Sequence, residues 1–395
     1  GVNTHTIISF TFGLGSAPGE RTNVAPISLE SIEQLQVSIA PFDVRQGNFI
    51  GAAVNTVTRS GTNRFTGSFY HRFRSNDFVG EEAEGQVVDP GDFKFRNTGG
   101  WAGGPVIKSK LFAFGTYENE EDNRPITTYR ANQGGEPATG SVTRVLASDL
   151  TTLSAYLKQN FDYDTGAFDN VDKNTPAKRY LFKTDYNLSN SNKISFRYNQ
   201  LNSSTDSYLS SSTSAGIGRP IFTTRFRSFA SSNYTILENI KSGIGEWNSV
   251  IGSSMSNNVI VGYTKNDESR GALDKLFPFV DILAPDGTAY TSFGSEPFTP
   301  NNELRYNTFQ LQDNLTRFSN RHSLTFGFTT QRYRSDNVFF PLSQSAYLYS
   351  SLADFYADAN GYLANPNRTT SAVPLSRFAV RYNNIPGQEK PLQPL

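Results

Sequence analysis

The chain has 395 residues, with 36 basic side chains balancing 36 acidic ones, no cysteine, one methionine and 13% aromatic residues. A neutral balance supplies no field to gather polyanions, so nucleic acid is not an expected partner, and the lack of cysteine removes disulfides, thiolate metal sites and thiol nucleophiles together. No uncharged run approaches the roughly 18 apolar residues of a membrane-crossing helix, but strands that face lipid with every second residue keep a low average, so a mean hydropathy of -0.46 leaves a membrane barrel open.

In chain order, residues up to about 62 read as a β-rich block that passes through a glycine-bearing turn into an alternating strand, NTVTRSGTNRFTGSFY at Asn55 to Tyr70. Gly47, Gly51 and Gly61 permit backbone conformations closed to other residues, and Ile39, Phe42, Val44, Val54 and Val57 are candidates for a small core. Arg45, Arg59 and Arg64 either face a polar wall or are ordinary solvated arginines.

About nine strands follow: near Arg64 to Arg74, Phe95 to Gly104, Leu111 to Glu118, Arg179 to Leu188, Asn192 to Leu201, Ile240 to Met255, Asn258 to Asp267, Leu304 to Phe318 and Arg321 to Arg334. The signal is a period of two. Lys193, Ser195, Arg197 and Asn199 alternate with Ile194, Phe196 and Tyr198, and Ser323, Thr325, Gly327 and Thr329 alternate with Leu324, Phe326 and Phe328. Tyr180, Phe182, Tyr186 and Leu188 form a similar face. Three positions break the pattern. Asp313 shares a register with Phe309, Leu311 and Leu315, which calls for a bulge or the opposite facing; Ile260 interrupts its strand; and His71 stands between Phe69 and Phe73.

Connections at Pro105 to Lys110, Ser189 to Ser191, Ser256 to Asn257 and Ser319 to Asn320 are short. Those at Ser75 to Lys94, Asn119 to Lys178, Asn202 to Asn239, Glu268 to Glu303 and beyond Ser335 are long. Strict alternation puts every long connection at one end, as in outer-membrane barrels with short periplasmic turns and long external loops. Within the long connections, Val145, Leu146, Asp149, Leu150, Leu153 and Leu157 recur at helical spacing behind Ser148, a candidate N-cap, and a second short helix is expected over Leu352 to Tyr356. These helices either pack the loops down or form a lid over a ligand. The same two readings apply to the loop aromatics Tyr208, Phe222, Phe277, Phe279, Tyr290 and Phe293, which either pack a loop or line a mouth.

Catalytic chemistry finds no footing. His5, His71 and His322 are far apart without HExxH spacing, there is no Gly-x-Ser-x-Gly elbow and no Gly-Lys dipeptide, and Pro18 stands where the third glycine of a fingerprint begun by Gly13 and Gly15 belongs. The acidic run Asp162, Asp164, Asp169 and Asp172 offers oxygen ligands of the type calcium uses, but without EF-hand spacing, so a solvated acidic loop stands beside it as the plainer reading.

Four segments together resemble the TonB-dependent outer-membrane receptors, and within them the Oar-like group of large barrels. They are SIEQLQVSIAPFDVRQGNFIGAAVNTVTRSGTNRFTGSFYHRFR at Ser31 to Arg74, GGPVIKSKLFAFGTYEN at Gly103 to Asn119, NRHSLTFGFTTQRYRSDN at Asn320 to Asn337 and SSLADFYADANGYL at Ser350 to Leu363. The first is specific as a whole, although Thr58, Ser60, Gly61 and Thr62 alone would be weak, and the likeness covers nearly all of the chain from about Ile27.

The resemblance implies an all-β protein, with residues 1–62 as the C-terminal part of a plug and 63–395 as the first part of an antiparallel transmembrane barrel, nine or so of about 22 strands. Gly47, Gly51, Thr58, Arg59, Ser60, Gly61 and Thr62 would be the plug signature. It further implies a signal peptide, often a carboxypeptidase-regulatory-like domain, a TonB-contacting box and an N-terminal plug half before Gly1, and more strands after Leu395. Outer-membrane lipid, the remainder of the same barrel, and TonB with ExbB and ExbD are the implied partners, in the outer membrane of a Gram-negative bacterium, with neither catalytic residue nor cofactor. Two functions are compatible with such a barrel: plug-gated transport of a substrate bound at the external loops, or a surface or adhesion protein that uses the barrel as an anchor.

Overall fold

A computed structural model describes residues 19–39, 52–80, 82–87, 91–213 and 218–381. Strands β1 (Ile32–Ile39) and β2 (Ala52–Thr58) form an antiparallel pair of their own. The main sheet contains β3 (Thr66–Ser75), β4 (Lys94–Ile107), β5 (Leu111–Pro125), β6 (Asp172–Ser189), β7 (Asn192–Ser207), β8 (Tyr234–Ile251), β9 (Met255–Asp267), β10 (Asn302–Ser319) and β11 (His322–Phe339). Each pairs antiparallel with the next in sequence, so β3 and β11 are the two edges of an up-and-down sheet, and among the described residues no strand closes it. The short Arg270–Ala272 adds to β8 beside β9.

The period-two pattern sorts the faces. Tyr180, Phe182, Ile194, Phe196, Trp247, Val261, Tyr263, Phe326 and Phe328 are exposed on one, while Lys183, Asp185, Ser195, Arg197, Glu246 and Gln312 are buried on the other. Aqueous folding would invert this arrangement. It suits a wall solvated by lipid chains outside and by a polar lumen inside. The outward apolar stripe ends in a tyrosine on four strands, Tyr117, Tyr180, Tyr198 and Tyr263, and the next outward positions toward the long connections are Asn119, Lys178, Gln200 and Lys265. Tyrosine at such a boundary keeps its ring in hydrocarbon and its hydroxyl in the headgroup layer.

Several expectations from the sequence need correction. The turn read at Ser256 and Asn257 lies at residues 252–254, because Gly252 takes a left-handed φ of +61°, and Met255 already belongs to β9. The strands also run further toward the long connections than the alternation indicated: β5 continues from Glu118 to Pro125 and pairs with residues 172–179 of β6. Beyond the tyrosine rim the outward face no longer meets hydrocarbon, so polar residues occupy both faces and the period-two signal fades while the backbone ladder continues. Asp313 keeps its place with Phe309, Leu311 and Leu315 on the outward face, opposite Val259 and Phe328, because β10 pairs with both neighbours without a register shift and no bulge removes it. Ile260 turns to the polar side with Asn258. His71 stays on the outward face, where Nδ1 lies 2.7 Å from Thr98 Oγ1 and the ring stacks on Phe73.

The long connections gather into a cap with its own core. Segments Phe279–Leu283, Ala289–Phe293 and Ala346–Tyr349, with the shorter Arg227–Ser228 and Arg377–Ala379, make a five-stranded mixed sheet. Helices α1 (Ala147–Phe161) and α2 (Leu352–Ala364) cover it, burying Leu150, Leu153, Leu157 and Phe355 against Phe229, Ile282 and Phe293. The N-cap of α1 is Leu146 rather than Ser148: the Leu146 amide donates to the Tyr290 hydroxyl (2.9 Å), which donates to Asp149 (2.6 Å), so a distant tyrosine does the work of a capping side chain. In α2 the cap is local, Ser351 Oγ accepting from the Asp354 amide, and the helix is longer than the expected Leu352 to Tyr356.

Phe196→Arg places a charge in the middle of the outward stripe and is expected to cost about 2–4 kcal/mol, whereas Asn119→Arg, one step beyond the rim, costs at most about 1 kcal/mol. Urea unfolding of the protein in lipid vesicles measures both. Equal losses would refute the assignment of faces.

Candidate functional site

The polar face of the sheet is occupied by the N-terminal described residues, and the contacts are built mainly from carboxylates of the wall. Glu238 of β8 accepts from the Thr22 amide (3.0 Å), the Thr22 hydroxyl (2.9 Å) and the Gly19 amide. Glu268, just past β9, accepts from Arg21 Nε (3.0 Å) and from the Tyr306 hydroxyl (2.6 Å). Glu118 of β5 takes Ser28 Oγ (2.9 Å), the Tyr70 hydroxyl (2.5 Å) and Arg179 (2.7 Å), and Arg179 Nε also donates to the Ala25 carbonyl (2.6 Å). Between these anchors Val24 packs on Ala177, Leu201 and Ile240, an apolar spot on an otherwise polar face. Glu118 and Glu238 are 3% and 1% exposed, so each hydrogen bond to them is a charge-assisted contact shielded from water, worth about 1.5–3 kcal/mol.

A second set of contacts holds the return of the segment into β3. Lys183 of β6 donates to the Thr58 carbonyl (3.1 Å) and to Ser60 Oγ (2.8 Å). The Arg59 guanidinium sits 4.9 Å from the Trp101 ring centroid, and its Nε donates to the Ile32 carbonyl (3.2 Å). At Gly61 a Cβ would come within 2.4 Å of the Ala113 carbonyl oxygen and 2.7 Å of that of Gly104, so only glycine allows the chain to pass this close to β4 and β5. Thr62 Oγ1 bonds locally to the Arg64 carbonyl, and Arg64 itself is exposed.

Toward the short turns the wall and the β1–β2 pair flank an open polar cavity of about 1200 Å³, lined among others by Glu33, Thr58, Lys183, Asp185, Lys193 and Glu246. Asp185 accepts from Ser195 Oγ (2.8 Å) and lies 3.9 Å from Lys183 and 3.8 Å from Lys193. Such a lining suits hydrated polar solutes and offers no apolar pocket.

Of the residues singled out from the sequence, Thr58, Arg59, Ser60 and Gly61 meet the wall, while Gly47, Gly51, Phe42, Val44, Arg45, His5, Gly13, Gly15 and Pro18 lie outside the described residues. Ile39 is 83% exposed, and Phe42, Val44 and the Val54 side chain, its expected core partners, lie outside what is described; Val24 makes the apolar contact with the wall that the described residues show. The four aspartates have separate partners. Asp162 pairs with Lys158 (2.8 Å), Asp164 accepts from the Gly166 amide, Asp169 binds Arg227 (3.0 Å) and the Ala131 amide, and Asp172 accepts from Asn123. No group of three or more His, Cys, Asp or Glu placed to hold a metal occurs among the described residues. Most of the loop aromatics pack, with Phe279 and Phe293 fully buried and Phe277 stacked on Tyr163 at 4.0 Å, whereas Phe222 is 54% exposed. Nothing in the alternation distinguishes Glu118, Glu238 or Lys183 from solvated lumen residues; their inward register is the only signal they carry.

Two buried charge clusters fasten the cap. Arg219 and Asp281 make a bidentate pair at 2.9 Å, with the guanidinium 4.6 Å from the Phe279 ring centroid. Asp358 accepts from Tyr349 (2.8 Å), Ser371 (2.6 Å), the Ala372 amide (2.8 Å) and Arg368 (2.7 Å). Burial alone would raise the Asp358 carboxyl, but these bonds outweigh it and hold the group below the usual carboxylate range.

Wall, covered lumen and capped external end define an outer-membrane β-barrel. The family model described as "Outer membrane beta barrel domain" matches residues 57–379, and the chain belongs to that family, in the outer membrane of a Gram-negative bacterium. The TonB-dependent transporter Oar of Myxococcus xanthus is 26% identical over 129 residues, which cover 30% of this chain and 12% of that protein. The outer membrane transporter YddB from Escherichia coli shares the fold with a TM-score of 0.50 at 10% identity, over 80% of this chain and 37% of that one. The siderophore receptor PirA from Acinetobacter baumannii superposes at a TM-score of 0.42 and 14% identity over 78% of this chain and 36% of its own, too loosely to carry an argument. By their names these relatives are transporters and receptors rather than enzymes.

Glu238→Gln is expected to weaken the seating of residues 19–24 by about 1–3 kcal/mol, because an amide NH₂ then meets the donors of Gly19 and Thr22. Faster hydrogen exchange at those amides, with the cap unchanged, is the readout; identical exchange would show that the carboxylate does not hold the segment. For the cap, the depressed pKa of Asp358 makes its contribution fully present above the ordinary carboxylate value of about 3.9 and lost as pH falls through its lower folded value. Cap protection from exchange should therefore be level from neutral pH down to about 5 and fall below about 4, with a weaker fall in Asp358→Asn.

Proposed function

We propose that the chain is part of a TonB-dependent outer-membrane transporter, with residues 1–62 as the C-terminal part of a plug and 63–395 as the N-terminal part of the barrel. A substrate engages the external cap and enters when force from energised TonB, acting with ExbB and ExbD through a segment outside this chain, displaces the plug. The observation that carries this reading is the fastening of residues 19–31 and 58–61 to the wall by Glu238, Glu268, Glu118 and Lys183. These are short polar contacts, individually modest, and they bridge the segment to a sheet whose strand ladders do not include it. A gate needs that combination: closed at rest, yet separable without breaking the wall. The mechanism is conformational, so no side chain does covalent chemistry.

One observation favours a second reading, a surface or adhesion protein anchored by the barrel. The cap has a dense aromatic core, with Phe293 and Phe355 at 5.2 Å and Tyr163 and Phe277 at 4.0 Å. Closed packing of this kind suits a rigid external surface for protein contacts.

Because the chain has no cysteine, Ser60→Cys in the full-length protein, with any cysteine outside this chain replaced by serine, supplies a single reporter. Under the transport reading its maleimide labelling in cells rises when TonB is active and drops in a strain lacking TonB. Labelling that ignores TonB, with surface binding intact after deletion of the TonB-contacting box, supports the anchor instead.

A further inference from the structure

Lys183 is fastened to a segment that a gate must release, and its surroundings show what it meets afterwards. Its ammonium has three donors, two of which go to the Thr58 carbonyl (3.1 Å) and Ser60 Oγ (2.8 Å). The Lys183 side chain is 5% exposed, and Arg197, buried on the same inward face, stands directly opposite it across β6 and β7. Like charges in that relation repel, and among the described residues Arg197 has no hydrogen bond or ion pair of its own. Once Thr58 and Ser60 withdraw, Lys183 is a buried cation beside a second one, and it needs a new acceptor.

One acceptor lies within reach and is idle. Asp185 is two residues along β6 and projects to the same face. Its Oδ1 accepts from Ser195 Oγ (2.8 Å) and has Lys193 Nζ at 3.8 Å, whereas Oδ2 is shielded from water, has no hydrogen-bond partner and lies 3.9 Å from Lys183 Nζ. That spacing is an ion pair without a hydrogen bond, and a shift of about 1 Å at the tip of a flexible four-carbon side chain closes it to charge-assisted length. Thr58 and Ser60 hold the ammonium back from that position. A shielded carboxylate oxygen without a donor is costly, so its presence calls for a state of the molecule in which a donor reaches it. We propose that Asp185 is a positioning residue of the gate, which receives the Lys183 ammonium when Thr58 and Ser60 leave. The hand-over keeps the buried cation paired in both states and lowers the cost of opening. It rests on the transport reading above. Glu238 has no comparable substitute, since its hydrogen bonds among the described residues all come from Gly19 and Thr22.

The test uses the full-length protein in cells, with any cysteine outside this chain replaced by serine and Ser31→Cys as the reporter. Ser31 is fully buried in the segment and, unlike Ser60, is not an acceptor of Lys183. The quantity read is the ratio of maleimide labelling rates with and without TonB. Asp185→Asn should cut that ratio at least about fivefold, because opening then leaves Lys183 unpaired. In a Lys183→Gln background no ammonium needs an acceptor, so adding Asp185→Asn should leave the ratio of that background unchanged. A carboxylate with a merely structural role would lower the ratio in both backgrounds. Assembly is checked by resistance of the barrel to dodecyl sulfate before heating, and Asp185→Ser, which keeps a hydroxyl beside Ser195, repeats the comparison if Asp185→Asn does not assemble. An undiminished ratio in Asp185→Asn would show that water solvates the released ammonium and would overturn the hand-over, as would an equal loss with and without Lys183. A reporter that ignores TonB in the otherwise unaltered protein would instead refute the gate, and the hand-over with it, so the two failures are distinct.

Discussion

A backbone that crosses hydrocarbon must pair every N–H and C=O within the protein, and that constraint sets the form of everything else here. The nine consecutive antiparallel strands satisfy one another's backbone groups along ladders of up to 18 residue pairs, as between β10 and β11. Once the ladders are made, side chains are free to take the solvent on each side. Phe182, Phe196, Tyr263 and Phe328 go outward to lipid, and Lys183, Arg197 and Glu246 go inward. The inversion of burial relative to a water-soluble sheet follows from which solvent lies on which face, not from an unusual composition.

A polar lumen in turn needs something to bind its charges. Inward residues such as Glu118 and Glu238 lie within a few percent of complete burial, which would be costly for lone carboxylates. Each is satisfied by donors from residues 19–28 as well as from the wall: Thr22 and Gly19 at Glu238, Ser28 with Tyr70 and Arg179 at Glu118. The segment and the wall therefore complete each other's hydrogen bonding, and Val24 adds an apolar contact. Cohesion of this polar kind is local and separable, whereas the cap, built on Leu150, Leu153, Phe293 and Phe355, is held by a hydrophobic core and by buried ion pairs. The two ends of the molecule are thus held together by different physics.

Much of this was legible from residue order. Period-two alternation located the antiparallel wall segments and most of their faces, since lipid on one side and a wet lumen on the other write their difference into the strands. The ends of the strands were not legible, because from Asn119 to Arg124 and from Asp172 to Lys178 the outward face has left the hydrocarbon, both faces carry polar residues, and the pattern fades although pairing continues. The α1 start was misplaced by one residue's role: Ser148 has the chemistry of a cap, but Tyr290, far along the chain, reaches Leu146 and Asp149 first. Asp313 marks a different limit, since local preference argued for a bulge and two uninterrupted ladders overrode it.

Sequence alone determined the class of wall, its strand order and the side that faces lipid, because those depend on solvent contrast repeated at every second residue. Tertiary structure alone decided which inward charges are fastened to residues 19–31 and 58–61, how five distant strands and two helices close into one cap, and that Lys183 and Arg197 stand opposite each other. Each of those facts joins residues separated by tens to hundreds of positions, and the alternation within a strand records neither its partner's register nor its distant contacts.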